Sequence, residues 1–297
     1  IERKVVRIAS PGTLTEEIEL GGKENNYLMS FVAYEKKFSV AWVDISTGEI
    51  NSKYCNDFKE LLEVYLNISP SEVVIADLFF EKKFIDKFSN SVPLTFFDLK
   101  NKDFEKLKVF LREFYKGNED FIEDKFSKSE IISLGIILNY ISYTQNGKLP
   151  HLKSPHLINK EMFLEIDNAS KRNLEIIRTL TGDKEGSLLN SVDYTLTSAG
   201  KRKLLNDLEN PLYSLDKINN RLNLVDFFFQ NYNLINFDLQ EKLKKIPDIA
   251  RSANRLFLKR GGPRDLFSIM QGLEQFNDLV NEIINKSEKK QLIKSIN

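Results

Sequence analysis

At 297 residues the chain is long enough to bury a substantial core and to fold as two domains of ordinary size. Hydrophobic residues at 41% and charged residues at 29% match a soluble globular protein, and no apolar run approaches the roughly 20 residues a membrane-spanning helix needs. Lysine plus arginine equals aspartate plus glutamate at 43 each, so no global field draws the chain to nucleic acid or anionic lipid, and the single Cys55 excludes an internal disulfide framework.

With no charged-then-apolar leader, a reducing, cytoplasmic location is the expectation. The chain starts at Ile1 rather than Met and stops at Asn297 after a helical pattern without a cap, and both ends are expected to be cuts from a longer protein.

Val5 to Ala9, Tyr27 to Tyr34 and Phe38 to Ile45 are apolar or β-branched runs that read as strands. Ser46-Thr47-Gly48 followed by Glu49 to Tyr54 adds a tight turn and a further strand, so a meander of three antiparallel strands is predicted. An amphipathic helix from Asp57 to Asn67, a strand at Val73 to Ala76, a helix near Glu81 to Phe88 and a strand at Leu94 to Phe97 follow. Strands alternating with helices imply parallel pairing, hence a mixed sheet flanked by helices. The helix Ser129 to Tyr143 carries Ile132, Gly135, Ile136, Asn139 and Tyr140 along one stripe, and Gln145 to Pro150 is a turn.

Beyond the short apolar run Met162 to Ile166, helices are predicted at Ala169 to Leu180, Ser198 to Leu208, Leu215 to Asn231, Gln240 to Lys245, Asp248 to Lys259 and Pro263 to Asn285. Ile218, Leu222, Val225 and Phe229 form one stripe expected to be buried behind the cap Ser214. In the last helix Pro263 and Asp265 suit the first turn. Leu266, Ile269, Leu273, Phe276, Val280 and Ile283 then make a heptad-like seam. The fold class is α/β followed by all-α.

Asp44 at the end of a strand invites comparison with nucleases that hold two metal ions between convergent carboxylates. Its companions, Glu49 after the turn and Glu72 at a strand start, leave that set incomplete, and a bond from Asp44 to the Ser46-Thr47-Gly48 turn is the expectation. His151 and His156, with Cys55 far away, do not reach the ligand number of a zinc site and read as packing residues. Gly182 to Ser187 lacks phosphate-loop spacing, and Gly261-Gly262-Pro263 reads as a helix start. No catalytic, metal or cofactor residue is therefore assigned. Arg251, Arg255 and Lys259 stand at i, i+4 and i+8, with Arg260 and Arg264 close behind and Lys201-Arg202-Lys203 as a second cluster. Such a stripe could meet DNA phosphates or a neighbouring domain, although pairing with acids or a solvated face is the commoner meaning.

Several phrases in order carry a resemblance: Val5 to Thr13 with Glu24 to Leu28, then Ala41 to Glu49, then Thr144-Gln145 and Leu149-Pro150-His151-Leu152. Asp167 to Glu175, Ser187-Leu188-Leu189, Asp193 to Thr197, Pro211-Leu212, Arg221-Leu222 and Pro263-Arg264-Asp265-Leu266 continue it. Together they resemble the connector and core domains of MutS-type DNA mismatch repair proteins. The resemblance implies a linker over 1–22, a ribonuclease H-like connector over 23–150 without nuclease activity, and the first part of a helical core and lever domain over 151–297. It also implies a parent that recognises mispaired double-stranded DNA as a homodimer, contacts MutL, and uses ATP and Mg in an ABC-type ATPase domain.

By the same resemblance this stretch is no enzyme, needs no cofactor itself, and transmits motion between the DNA and ATPase ends. Arg172 and Asn173, in its most specific phrase, are candidate interdomain contacts, with capping and packing as the alternative. A stand-alone metal-dependent nuclease and a helical protein-binding scaffold are the competing functions.

Overall fold

A computed structural model of the protein describes residues 5, 8–15, 25–34, 36–88, 92–99, 103–116, 118, 120–121, 123–158, 163–230 and 232–286. The chain forms two compact units, Ile1–Asn159 with Asn254–Arg260, and Lys160–Ala253 with Gly261–Asn297.

The first unit is built on six strands: β1 (Tyr27–Tyr34), β2 (Lys37–Asp44), β3 (Glu49–Cys55), β4 (Glu72–Phe80), β5 (Leu94–Phe96) and β6 (His156–Leu157), in the order β5-β4-β1-β2-β3-β6. β1, β2 and β3 make the predicted antiparallel meander, the second hairpin closing through Gly48 at φ 77°. β4 pairs parallel to β1 and β5 parallel to β4, as strand–helix alternation predicts. β6 adds a two-residue parallel edge on Asn51 and Ser52 that the residue pattern does not announce. Through it His156 and Leu157 join the sheet. Of the expected first strand, Val6 and Arg7 lie outside the described residues, and Ile8 and Ala9 join no strand; the Ile8 N–H donates to Thr144 O at 2.8 Å. Of the expected linker, residues 1–4, 6–7 and 16–22 lie outside the described residues.

Period-two alternation in β1 sends Leu28 and Val32 to one face of the sheet and Met29, Phe31 and Ala33 to the other. The second face is covered by α1 (Phe58–Ile68), capped by Asp57, which accepts from Glu60 N at 2.8 Å. Beside it, Lys82–Lys87 is a 3-10 segment rather than the expected α-helix. A stretch that short offers too few α-type bonds to offset nucleation. Ring stacking of Phe84 on Phe58 at 4.0 Å and of Phe88 on Phe31 at 4.9 Å pins it instead.

The first face carries α3 (Lys128–Thr144), begun by a reciprocal Ser127–Glu130 capping box. Its expected single stripe proves to be burial on nearly all sides, because α2 (Phe104–Phe114) packs over it; a Cβ on Gly135 would lie 3.0 Å from Leu107 Cδ2. Small polar residues let α3 approach the sheet closely: Ser30 Oγ donates to Ser133 O at 2.7 Å, and Ser39 Oγ lies 3.4 Å from Ser133 Oγ.

The second unit is helical, with α4 (Asn168–Asn173), α5 (Leu188–Val192), α6 (Ser198–Glu209), α7 (Leu215–Gln230), α8 (Tyr232–Lys245), the start of α9 (Ile249–Phe257) and α10 (Pro263–Lys286). Met162 and Asn231 lie outside the described residues, and Phe163 makes an isolated antiparallel bridge to Leu212. The helix expected to reach Leu180 stops at Asn173, because Glu175 takes a left-handed φ of 49° and its Oε1 accepts from Leu180 N at 2.7 Å, folding the chain into turns. The expected helix over Asp248 to Lys259 ends at Phe257. In α10, Asp265 Oδ2 accepts from Gly262 N at 3.0 Å ahead of Pro263, fulfilling the helix-start reading. Gly272 gives α10 its close approach to Ile249, whose Cγ1 would lie 2.6 Å from a Cβ there.

The stripe predicted to be buried on α7 is not. Leu222, Val225 and Phe229 are 57%, 59% and 79% exposed. Amphipathic spacing marks a face with an apolar surface, and that face is open here.

Candidate functional site

The carboxylates near the end of the sheet are where the sequence invited metal-assisted chemistry, and strand register decides their arrangement. Asp44 pairs with Tyr27 and with Glu49, while Glu72 pairs with Leu28, the next residue along β1. Successive residues of a strand face opposite ways, so Asp44 and Glu49 share one face and Glu72 lies on the other.

Each acid also has structural work. Asp44 is fully buried; its Oδ1 accepts from Ser46 N at 2.8 Å and from Ser46 Oγ at 2.6 Å, and its Oδ2 accepts from Asn26 N at 3.2 Å. Its backbone oxygen accepts from Gly48 N at 2.8 Å, so the predicted bond to the turn is present twice over. Glu72, also buried, takes Ser10 Oγ at 2.5 Å and Gly12 N at 2.9 Å on Oε2, and Thr95 Oγ1 at 2.7 Å and the Tyr140 hydroxyl at 2.6 Å on Oε1. Burial, then the bond to Glu72, pushes the Tyr140 phenol up to about 12. Glu49 reaches outward to Lys153 Nζ at 3.3 Å. Among the described residues no three His, Cys, Asp or Glu side chains converge as metal ligands. His151 stacks on Phe257 at 4.8 Å, the packing role expected of it, and burial pushes the Cys55 thiol up to about 12, which keeps it an unreactive thiol.

The basic residues separate. Arg251 is fully buried beside Asp248, whose Oδ1 accepts the Arg251 N–H at 3.3 Å, while Oδ2 lies 3.7 Å from Arg251 Nε. Arg255 is half-buried. Lys259 lies beyond the end of α9 with φ 56°, exposed and off any helical stripe. The regular i, i+4, i+8 stripe is thus broken at both ends, by an inward Arg251 and a left-handed Lys259. In the second cluster every cation meets an acid of its own unit: Lys201 meets Asp193 at 3.4 Å, Arg202 meets Asp248 at 2.6 Å, and Lys203 meets Asp207 at 2.5 Å.

Arg172 and Asn173 sit at the end of α4, exposed, with Leu174 following them also exposed. The helix that presents them is capped by Asp167, which accepts Ser170 N at 2.9 Å and Ser170 Oγ at 2.7 Å; those bonds hold its carboxyl below the ordinary range. Asp167 is thus the N-cap of this helix, while Arg172 and Asn173 stand exposed in its last turn. The buried Glu72 knot escaped sequence reading. Its signal was an acid at a strand start sharing the chain with Ser10, Thr95 and Tyr140, which no local window joins.

Comparison with known proteins matches two family models in tandem, MutS domain II over residues 26–153 and MutS domain III over residues 169–296. Among curated relatives, the DNA mismatch repair protein MutS of Wolbachia pipientis wMel is 36% identical over 290 residues, covering 97% of this chain and 34% of the relative. That of Rickettsia rickettsii (strain Sheila Smith) is 34% identical, covering 92% of this chain and 31% of the relative. That of Ruegeria pomeroyi (strain ATCC 700808 / DSM 15171 / DSS-3) is 35% identical, covering 93% and 31%. The chain spans about a third of the length of the curated relatives it matches.

Proposed function

The chain belongs to the MutS family of DNA mismatch repair proteins, and on that premise we propose that it is the segment of a mismatch repair protein that carries motion between a DNA-binding end and an ATPase end. We read 1–22 as a linker, 23–150 as a ribonuclease H-like connector and 151–297 as the first part of a core and lever domain. The whole protein is proposed to recognise mispaired double-stranded DNA as a homodimer in the cytoplasm, to contact MutL, and to bind ATP and Mg outside this segment. Arg172 and Asn173, exposed at the end of α4, are the proposed interdomain contacts, and Arg255 and Lys259 are proposed to meet a neighbouring domain or DNA.

The observation that carries this reading is the tandem match to domains II and III over most of the chain. The sheet supports the ribonuclease H-like label, with three antiparallel strands followed by parallel β4 and β5. Acids divided between its two faces argue against a nuclease. Stiff strands and long helices suit transmission.

The test is made in the whole parent protein, with a flexible insertion in the exposed turn at Asn146-Gly147. Mismatch binding and ATP hydrolysis are expected to survive separately, while ATP-driven release from a mismatched duplex is lost. Unchanged ATP-driven release overturns the transmission reading. Magnesium-dependent DNA cleavage by this chain, abolished in Asp44→Asn, would replace it with the nuclease.

A further inference from the structure

Asn254–Arg260 is distant in sequence from the rest of the α/β unit, yet it is seated there on three kinds of contact. Leu258 is fully buried in the core that α2 and α3 share with the sheet. Phe257 stacks on His151, and Asn254 Nδ2 donates to Ser46 O at 3.4 Å, beside the Asp44 turn. The segment ends in a Schellman arrangement: Lys259 N donates to Leu256 O at 2.9 Å, and Arg260 N donates to Arg255 O at 2.9 Å, with Lys259 left-handed. That geometry fixes the direction in which Arg260 leaves the helix. Its guanidinium donates to Gln145 Oε1 and, at 3.1 Å, to Thr15 Oγ1; both partners are buried.

Thr15 belongs to the stretch 8–15 ahead of β1, which is otherwise held by neighbours of the sheet. Ile8 N donates to Thr144 O at 2.8 Å, Gly12 N to Glu72 at 2.9 Å, and Asn26 Nδ2 to Pro11 O at 2.9 Å. Gln145 directly follows α3. One side chain from residue 260 therefore ties together the chain before β1 and the chain after α3.

We propose that Arg260 is a clasp: it fixes the leading segment 8–15 on the α/β unit only while Asn254–Arg260 is seated, so that displacement of this segment, which continues through Gly261-Gly262 into α10, loosens the chain ahead of β1. Arg260 is a positioning residue in this device, and the apolar anchor Leu258 controls it from the far side of the turn. The inference deepens the transmission reading and rests on it only for what the clasp conveys; the contacts themselves are independent of DNA and nucleotide.

Hydrogen exchange on this 297-residue chain, free of DNA and nucleotide, tests it, and failure here leaves the transmission reading to its own experiment. Arg260→Ala is expected to speed exchange of the Ile8, Gly12 and Thr13 amides by roughly tenfold or more, with the β1–β4 ladder unchanged, as loss of a charged hydrogen bond predicts. Leu258→Ala, which loosens the apolar seat and leaves the Arg260 side chain itself intact, is expected to produce the same pattern through unseating. Thr15→Val removes one acceptor without changing shape and is expected to reproduce part of it, so an unfolded Arg260→Ala would not end the test. Exchange at 8–15 within about twofold of the unaltered chain in Thr15→Val and Leu258→Ala overturns the clasp.

Discussion

The Tyr140 hydroxyl donates to Glu72 Oε1 at 2.6 Å, joining the last turn of α3 to the first residue of β4 in a buried knot that also holds Ser10, Gly12 and Thr95. Tyr140→Phe leaves the ring packed against Phe97 but removes a donor from a buried carboxylate. A loss of about 1.5–3 kcal/mol is expected in urea unfolding. The phenol also sets an alkaline limit. Its folded value is raised to about 12, so the unfolded chain loses this proton first; the contribution is complete below the unfolded value of about 10 and is lost as pH rises through about 12. Tyr140→Phe should flatten that alkaline fall, and a fall of equal depth in the variant would assign it to other groups.

Gly48 and Gly147 both have positive φ, 77° and 79°, and differ in their surroundings. A Cβ on Gly48 would collide with His151 O and lie 2.9 Å from Asn254 Nδ2, whereas nothing lies within 4 Å of one on Gly147. Gly147→Ala is expected to cost about 1 kcal/mol, from backbone strain alone. Gly48→Ala should cost more than about 2 kcal/mol, since the backbone of His151 must move as well. Equal unfolding midpoints for the two variants would contradict the close approach.

Arg202 grips Asp248 through both guanidinium nitrogens, at 2.6 and 3.1 Å, and both side chains are nearly buried. Removing the guanidinium leaves the buried Asp248 carboxylate with only the looser Arg251 contact at 3.7 Å, so Arg202→Met should lower stability toward the low end of the roughly 3–5 kcal/mol typical of a broken buried pair. Arg202→Lys keeps the charge but not the fork and should recover only part of it. Full recovery by lysine, in the same denaturant titration, would mean that geometry contributes nothing.

Much of the first unit could be read in advance because strand alternation and the Ser46-Thr47-Gly48 turn are local signals with one steric solution. The missed α2 had its own local mark, Asp103 as cap with Leu107 and Leu111 four residues apart, now seen buried against α3. What local pattern could not supply is which distant partner meets a face. Arg251 and Arg255 share a helical spacing, yet Asp248, one turn earlier, draws Arg251 into burial. The α7 stripe was legible as apolar and not as open, since periodicity measures a preference and only the tertiary partner satisfies it. Arg260 and Thr15 lie 245 positions apart, beyond any window.

Glu209, in α6, carries a carboxyl that burial pushes up to about 7 while Lys171 pulls it back, and the same burial holds the Lys171 ammonium below its ordinary value. A raised acid binds its proton more tightly in the folded chain, so stability from this group is present below the unfolded value of about 4.3 and is lost as pH rises through about 7. Glu209→Gln should remove that slope, leaving the variant relatively more stable at pH 8 than at pH 4.5. Urea midpoints at the two values measure it, and a variant that tracks the unaltered chain at both would refute the assignment.

The final helix presents a seam that lacks full cover. Leu266, Leu273 and Phe276 are half or more exposed, with Phe267 and Met270 beside them, while Leu279 is buried and Val280 is half-buried. α8 covers only part of α10, with Lys242 paired to Glu282 across that contact. Leu222, Val225 and Phe229 on α7 are exposed as well, so the second unit leaves large apolar side chains in water on both helices. Association of copies buries such surface and gains with concentration. Sedimentation across a concentration series is therefore expected to show mass rising above the monomer, accompanied by fast hydrogen exchange toward the end of α10 at low concentration. Leu273→Lys, on an exposed position, should restore the monomer without lowering the unfolding midpoint. Constant monomer mass with slow exchange along all of α10 would mean that the seam is satisfied within one chain.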